Sequence, residues 1–150
     1  MFCPNCDEDI TPENLRVKRI FTVKGEDVEI DDRFHRCPAC SEEWSEEGFD
    51  AAAEAYRAYR QAHGMLQPEE IRAFRKNLGL SQEEMAGLLG WSEATVNRYE
   101  KGALQERSHD LALKMAHTND ALRILLENRR EGIPSEKWSR LWKSTSAKSA

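Results

Sequence analysis

The hydrophobic pattern of the chain changes once, from strand-like alternation near the start to helical spacing in the rest. Apolar and polar side chains alternate over residues 15–23, 28–30 and 33–36, and turn-forming residues occupy positions 24–27. Alternation of this kind is typical of half-buried strands. We therefore expect a small antiparallel sheet in this part of the chain.

Helical spacing begins after the predicted sheet. Residues 46–63 are rich in Ala and Glu, and we expect a linking helix there with Ser45 as its N-cap. Another helix begins at Pro68, because proline suits the first helical position. Its apolar face ends at Gly79, and the boundary between the two halves of the chain is expected near residues 63–68.

Two short capped helices around a glycine follow. Ser81 and Glu84 have the spacing of a capping box at the start of the first one. Gly90 permits a sharp reversal, and Ser92 caps the second, which Gly102 ends. This is the chemistry of a helix-turn-helix module, whose second helix enters the major groove of DNA. An all-α packing module without DNA contact would have the same caps and periodicity.

The spacing within the second of these helices predicts which side chains face DNA. Val96 and Tyr99 are expected to pack inward, which directs four side chains towards the groove: Glu93, Ala94, Asn97 and Arg98. Arg98 can read a guanine by two hydrogen bonds, and Asn97 can reach an adenine edge or a phosphate. Two further side chains stand at helix starts, where side chains and free amides meet phosphates: Gln82 and Ser92.

The C-terminal part of the chain is also helical. A long helix is expected from Ser108, with an apolar stripe that is core and is wide enough to extend to a second subunit. We expect a homodimer, because helix-turn-helix proteins commonly need two copies to span two half-sites. A short helix with Trp138, Leu141 and Trp142 on one face either folds back on its own domain or reaches across a dimer. Residues 144–150 are small and polar and are expected to be disordered.

Composition and charge indicate two modules. Of the 150 residues, 39% are apolar and 33% are charged, and the formal net charge is −5. Residues 1–65 carry 8 basic and 15 acidic side chains, whereas residues 66–150 carry 14 basic and 12 acidic side chains. This excludes a uniformly basic nucleic-acid-binding surface and favours two modules with different partners. There is no signal-peptide pattern and no apolar run of membrane-spanning length, so we expect a cytoplasmic protein without membrane contact.

The cysteines have the spacing of a metal site. They follow the pattern C-x2-C-x30-C-x2-C, at Cys3, Cys6, Cys37 and Cys40. Each pair reads Cys-Pro-x-Cys, a tight turn that lets two sulfurs converge on one ion. Two such turns supply four thiolates, which form the closed tetrahedral shell of a structural Zn²⁺ ion, one per chain.

Cysteines have other uses besides zinc binding. Disulfides need an oxidising compartment, and a thioredoxin-like redox pair needs a βαβ setting, and nothing in the sequence indicates either. An iron–sulfur cluster also uses four thiolates and stays an alternative. His35, two residues before the second pair, is interpreted as a strand or surface residue.

Two segments carry a resemblance to known families. Residues 81–86 followed by 90–102, which end in Arg-Tyr-Glu-Lys-Gly, resemble the Xre/Cro-type helix-turn-helix family. Together with the CxxC turns and the linking helix, the layout over roughly residues 1–125 resembles the MqsA/YgiT-type zinc-finger antitoxins. The resemblance implies zinc ligation by the four cysteines and a recognition-helix arginine at Arg98. An asparagine of the family, earlier in this helix, aligns with Ala94 here, so we expect a different operator sequence. The resemblance also implies a toxin ribonuclease bound through the zinc domain and dimerisation through the C-terminal domain.

These patterns predict an α+β fold. A zinc-bound antiparallel sheet with a linking helix is expected in residues 1–65, a helix-turn-helix domain in 66–132, and a short helix with a tail in 133–150. The favoured function is a sequence-specific repressor that binds a palindromic DNA operator and serves as the antitoxin of a type II toxin–antitoxin pair. The alternative is a stand-alone regulator from a phage or mobile element. No catalytic set, phosphate-cradling glycine loop or open metal site indicates an enzyme.

Overall fold

Strands and helices are segregated along the chain. The computed structural model describes residues 1–146, which divide into a first unit, residues 1–63, and a second unit that begins at Gly64. In the described residues, the first unit contains the strands and one α-helix, and the second contains six α-helices. The mixed α+β fold class is confirmed. None of the described helices is long and apolar enough to cross a membrane.

The first unit contains two small antiparallel sheets. One is formed by β1 (Phe2–Cys3) and β2 (Glu8–Asp9), and the other, in this order, by β3 (Glu13–Val23), β4 (Glu26–Arg36) and β5 (Glu43–Ser45). Lys24 and Gly25 join β3 to β4 with φ angles of 52° and 80°, the left-handed pair that a two-residue hairpin turn requires. The turn sets the register, with Val23 opposite Glu26.

Helix α1 (Ala51–Ala62) packs against β3 and β4 through Ala55 and Tyr59, which are buried. The prediction that this helix begins at residue 46 was wrong. Its N-cap is Asp50, whose carboxylate accepts hydrogen bonds from two backbone amides at 2.9 and 3.1 Å. Ser45 instead ends β5, because residues 43–45 pair with β4.

The second unit begins with three helices whose starts match the predicted caps: α2 (Pro68–Asn77), α3 (Gln82–Leu89) and α4 (Glu93–Glu100). The Ser81 hydroxyl accepts from the Glu84 amide at 3.1 Å, and the Glu84 carboxylate accepts from the Ser81 amide at 3.3 Å, which confirms the capping box. The helices surround a buried apolar core that includes Ile71, Phe74, Met85, Leu88, Val96, Leu113, Leu122 and Leu126.

The single long helix expected from Ser108 is instead two helices, α5 (Arg107–Ala116) and α6 (Asn119–Asn128). The Thr118 hydroxyl accepts from the Ala121 amide at 3.3 Å and so caps α6, which stabilises a new helix start. The preceding His117 ring stacks on Phe74 with 3.7 Å between ring centroids, so the break between the helices is packed against the core.

A short 3-10 turn (Arg130–Gly132) leads to α7 (Ser135–Ser146), which folds back on its own unit. Leu141 is buried, and the Trp138 indole donates to the Leu126 carbonyl at 2.8 Å. Residues 144–146 are the last turn of α7, so the expectation of disorder was wrong for them, since Thr145 is buried there. Residues 147–150 lie outside the described part of the chain.

One buried carboxylate joins three helices of the second unit. The side chain of Glu100, at the end of α4, accepts from Arg75 of α2 at 2.5 and 3.0 Å and from the Gln82 amide of α3 at 2.9 Å. Arg72 adds a longer contact of 3.4 Å. Burial acts to raise the pKa of Glu100, but these hydrogen bonds outweigh it and hold the pKa below its ordinary value. The carboxylate is therefore charged and paired.

Replacing Glu100 should destabilise the second unit. Glu100→Ala leaves Arg75 and Gln82 without their acceptor, so we expect the free energy of unfolding to fall by about 3 kcal/mol. Glu100→Gln keeps the size of the side chain, and a smaller loss of about 1–2 kcal/mol is expected. Urea denaturation followed by circular dichroism measures both. Glu127→Ala, at an exposed position of α6, is the control, and an equal loss in this variant would contradict the assignment.

The stabilisation by Glu100 should also depend on pH. Because its folded-state pKa is lowered, the contribution is fully present above the ordinary value of 4.5 and is lost as the pH falls through the lower folded-state value. The unfolding free energies of the wild-type protein and of Glu100→Gln should therefore converge in acid. A constant difference between the two proteins from neutral pH to below pH 4.5 would contradict this.

Candidate metal centre and nucleic-acid interface

The two cysteine pairs fold into the same local structure. The Asp7 amide donates to the Cys3 carbonyl at 3.0 Å, and the Ser41 amide donates to the Cys37 carbonyl at 2.9 Å. Asp7 and Ser41 both adopt left-handed backbone angles, with φ of 57° and 64°. Each pair is thus followed by the same reversal of the chain, as expected of two CxxC turns that present their sulfurs to a common centre.

The four sulfurs, which we call the sulfur cluster, converge in the first unit. All four Sγ atoms lie within 4.8 Å of one another, with 3.7 Å between Cys3 and Cys40 and 3.8 Å between Cys6 and Cys37. Thiolates about 2.3 Å from a central Zn²⁺ ion would lie about 3.8 Å apart in a tetrahedron. A disulfide would need about 2.05 Å, and the cysteines are free. The cluster therefore has the donors and the spacing of a closed four-coordinate metal site.

The surroundings of the sulfurs also suit a metal. Cys3 and Cys37 are fully buried, and Cys6 and Cys40 are partly buried. Hydrogen bonds from the Asn5 side chain and the Glu42 backbone lower the pKa of Cys40 to about 6. The neighbouring thiols of Cys40 and Cys37 raise the pKa of Cys6. Cys40 thus favours the thiolate form, whereas the Cys6 thiol would lose its proton on binding a cation.

His35 lies in β4 and belongs to the strand rather than to the sulfur cluster. Its Nδ1 atom is 2.6 Å from the Asn14 side-chain oxygen on the neighbouring strand. Its ring lies 5.8 Å from the Trp44 ring, measured between centroids. These contacts confirm the interpretation of His35 as a strand residue.

Helix α4 has one buried face and one exposed face. Val96 and Tyr99 are only 1% and 7% exposed, and the Tyr99 hydroxyl bonds the His109 ring at 2.8 Å. The side chains expected to face DNA lie on the remaining surface, where Glu93, Ala94 and Arg98 are exposed and Asn97 is half-buried. Ser92 caps the helix, since its hydroxyl accepts from the Thr95 amide at 3.2 Å. These residues extend along one face of the helix, from its N-cap to its last turn.

Gln82 is placed differently from the other expected contacts. It stands at the start of α3, but its side-chain amide donates to the buried Glu100 at 2.9 Å and so bonds within the protein. Sequence reasoning missed this carboxylate. The signal for it was the position of Glu100 four residues after the inward-facing Val96, which places both side chains on the same side of the helix.

Thr95 is a second residue that the sequence pattern did not indicate as part of this surface. Its hydroxyl lies 2.9 Å from the Ser92 hydroxyl and 3.5 Å from the Arg98 guanidinium, so it links the N-cap of α4 to the exposed arginine. A threonine three residues before an arginine lies on the same side of a helix. That spacing was the available signal.

A comparison with known protein families matches residues from both units of the chain. The family model described as "Antitoxin component of bacterial toxin-antitoxin system, MqsA" matches residues 1–123. No curated protein matches the chain. The matched range contains the sulfur cluster, α3 and α4, and it covers most of the 150 residues. The chain therefore belongs to the MqsA family of bacterial antitoxins.

Proposed function

We propose that this protein is the antitoxin of a type II toxin–antitoxin pair and a sequence-specific DNA-binding repressor that acts in the cytoplasm. The observation that carries the proposal is the exposed face of α4, with Arg98 on it, in a chain of the MqsA antitoxin family. Helices α3 and α4 would be the two helices of a helix-turn-helix motif, with α4 in the major groove. The role is regulatory, and we assign no reaction to the protein.

We further propose that the sulfur cluster holds one structural Zn²⁺ ion. Four thiolates close the coordination shell, so no position is left for water or a substrate, and the ion would hold structure and not catalyse. Apart from the cysteines, the first unit buries only five apolar side chains, which are Val23, Ile30, Phe34, Ala55 and Tyr59. Metal ligation would therefore supply much of its folding free energy.

Zinc content and folding of the first unit should change together. The purified protein is expected to hold about one zinc ion per chain. Cys37→Ser removes one of the four ligands and should release the ion and unfold the first unit, while the helices of the second unit stay folded. Elemental analysis and amide resonances from each unit measure this.

His35→Ala is the matched control, because His35 is close to Cys37 in the chain but is absent from the sulfur cluster. This variant should keep both its zinc and the resonances of the first unit. If the Cys37→Ser protein kept those resonances without metal, zinc-dependent folding would be refuted. Iron with visible absorption would identify an iron–sulfur cluster instead.

Arg98 is the residue to which we assign base readout. A guanidinium offers a fork of donors that matches two acceptors of guanine in the major groove. The Thr95 hydroxyl lies 3.5 Å from this guanidinium. Glu93, Ala94 and Asn97 would border the same bases, and Ser92 would stand at the phosphate end of the helix. Gln82 is a weaker candidate for a phosphate contact, because its amide bonds Glu100.

Loss of the Arg98 side chain should reduce discrimination between sequences. An operator would first be selected from a library of random duplexes. Arg98→Ala is then expected to lose about 1–3 kcal/mol of preference for this operator over a scrambled duplex, mostly at one guanine per half-site. Fluorescence anisotropy at fixed salt measures both affinities. Lys76→Ala removes an exposed cation of α2 and should leave the preference unchanged. An equal loss on both duplexes in Arg98→Ala would exclude base readout.

An apolar surface on α5 and α6 supports a homodimer. Leu111 and Met115, one turn apart on α5, are 58% and 53% exposed, and Ile124 of α6 is 60% exposed, which is high for large apolar side chains. Beside them is a cavity of about 190 Å³ lined by Leu89, Ala112, Met115, Ala116, Ala121, Ile124 and Leu125. A second copy of the same surface would cover these side chains about a two-fold axis. Two copies would also match a palindromic operator, whose half-sites lie about one helical turn apart.

A charge in this surface should dissociate the dimer. Ile124→Glu is expected to convert a protein of twice the chain mass into a monomer, since the carboxylate would be buried without a partner. Light scattering after size-exclusion chromatography measures the mass. Ile20→Glu is the matched control, because Ile20 is 64% exposed and lies on β3 of the first unit. A monomeric wild-type protein, or a dimeric Ile124→Glu protein, would argue against this interface.

We propose that the first unit binds the cognate toxin. Residues 1–63 carry 8 basic and 15 acidic side chains, a net charge of −7, and four thiolates with one Zn²⁺ ion would add −2. A surface with this charge repels DNA and attracts a basic protein, such as a ribonuclease toxin, through steering that weakens with salt.

Affinity capture from the native host tests the toxin proposal. The full chain should retain one basic protein, and the association rate of the purified pair should fall as salt increases. Arg98→Ala should retain the same protein, because Arg98 belongs to the other unit. A chain that captures no partner would support the stand-alone regulator, and a salt-independent association rate would refute electrostatic steering.

A further inference from the structure

The positive charge of the second unit comes from a segment outside the family match. Residues 64–123 carry 8 basic and 9 acidic side chains, a net charge of −1. Residues 124–146, which we call the C-terminal segment, lie beyond the matched range and carry 5 basic and 3 acidic side chains, a net charge of +2. Phosphate repels a negative surface, so the charge balance that favours DNA depends on this segment.

The C-terminal segment is packed along α3. In the middle of the helix, a Cβ atom placed on Gly87 would lie 3.3 Å from the Cα atom of Gly132. At the end of the helix, a Cβ atom on Gly90 would lie 2.6 Å from the Arg129 guanidinium. At the start, Lys137 donates to both oxygens of Glu84 at 2.7 and 2.8 Å. The segment is thus fixed beside the α3–α4 pair at three points.

Two exposed arginines of the segment lie close to the starts of α3 and α4. Arg129 contacts the turn at Gly90, which joins the two helices. Arg130 borders a groove of about 930 Å³ that also contains Ser81, at the start of α3, and Glu93, at the start of α4. Under the proposed function, these helix starts are the parts of the protein that approach the DNA backbone.

Arg130 is held in place by stacked rings. Its guanidinium lies 4.3 Å from the centre of the Trp138 ring, and Trp138 stacks on Trp142 with 5.1 Å between centroids and an angle of 11° between planes. Arg123 lies 4.3 Å from the other indole, that of Trp142. Stacking occupies the face of a guanidinium, whereas its N–H donors lie in the plane of the group. An arginine held in this way loses less entropy when it binds a phosphate with two hydrogen bonds.

Arg130 shares this groove with several carboxylates, whose negative charge it partly offsets. Glu83, Glu93 and Glu131 border the groove, whereas the charge of Glu84 is compensated by Lys137. Arg130 offsets one of these three charges, and its loss would leave the surface beside the start of α4 more acidic and more repulsive to the DNA backbone.

We propose that Arg129 and Arg130 form a sequence-independent contact with the phosphate backbone, next to the groove that α4 would enter. The proposal rests on the DNA binding proposed above. The C-terminal segment would supply the electrostatic part of the affinity, and Arg98 would supply the discrimination between bases.

Salt titrations of DNA binding test this contact. Using the full chain with the selected operator and a scrambled duplex, Arg130→Ala should lower both affinities by the same factor, about five- to tenfold. The slope of log K against log salt should become shallower by about 1, and by about 2 in the variant with Arg129→Ala as well. Arg130→Lys keeps the charge but not the fork of donors, so it should restore the slope and only part of the affinity.

Lys76→Ala is the matched control, since it removes an exposed cation of α2 and should change neither quantity. Unchanged slopes and affinities in the double variant would overturn the proposal, and so would a loss confined to the operator. A wild-type protein that binds neither duplex would overturn the DNA-binding function itself and this inference with it. Arg98→Ala distinguishes the two roles, because it should weaken binding to the operator without changing the slope on the scrambled duplex.

Discussion

The pairing of one buried carboxylate determines how the second unit is assembled. Glu100 ends α4, and hydrogen bonds from Arg75 of α2 and Gln82 of α3 meet at its two oxygens. A buried charge that loses its partners costs several kcal/mol, so α4 cannot turn about its axis without breaking these bonds. The direction of its exposed face, and with it the position of Arg98, follows from this pairing together with the burial of Val96 and Tyr99. The pairing also explains why Gln82 is bonded inside the protein.

The sulfur cluster has the corresponding role in the first unit, where few apolar side chains are buried. Cys3 belongs to β1, and Cys37 directly follows β4, so two separate sheets bring the pairs together. Because little hydrophobic burial is available, the metal ion that we propose would hold these elements in place. In the second unit, by contrast, the pairing of Glu100 adds to a larger apolar core.

Charge is divided between the parts of the chain according to the partners that we propose. The first unit is strongly acidic and suits a basic protein. In the second unit, residues up to 123 are close to neutral, and the C-terminal segment adds the positive charge. Its tryptophans have a double role, since they pack against the core and stack on Arg123, which is half-buried, and on the exposed Arg130. Folding stability and the electrostatic attraction to DNA that we propose would therefore depend on the same residues.

Signals that act within one helical turn or one tight turn were readable from the sequence. The caps at Ser81 and Ser92, the inward face of α4 and the paired cysteines are of this kind, because each involves residues no more than four positions apart. The pairing of β5, which removed Ser45 from the linking helix, depended on a strand elsewhere in the chain. So did the bonds from Gln82 to Glu100 and from Lys137 to Glu84, which span 18 and 53 positions. Local chemistry determined where elements begin, and tertiary packing decided which side chains stay free to bind a partner.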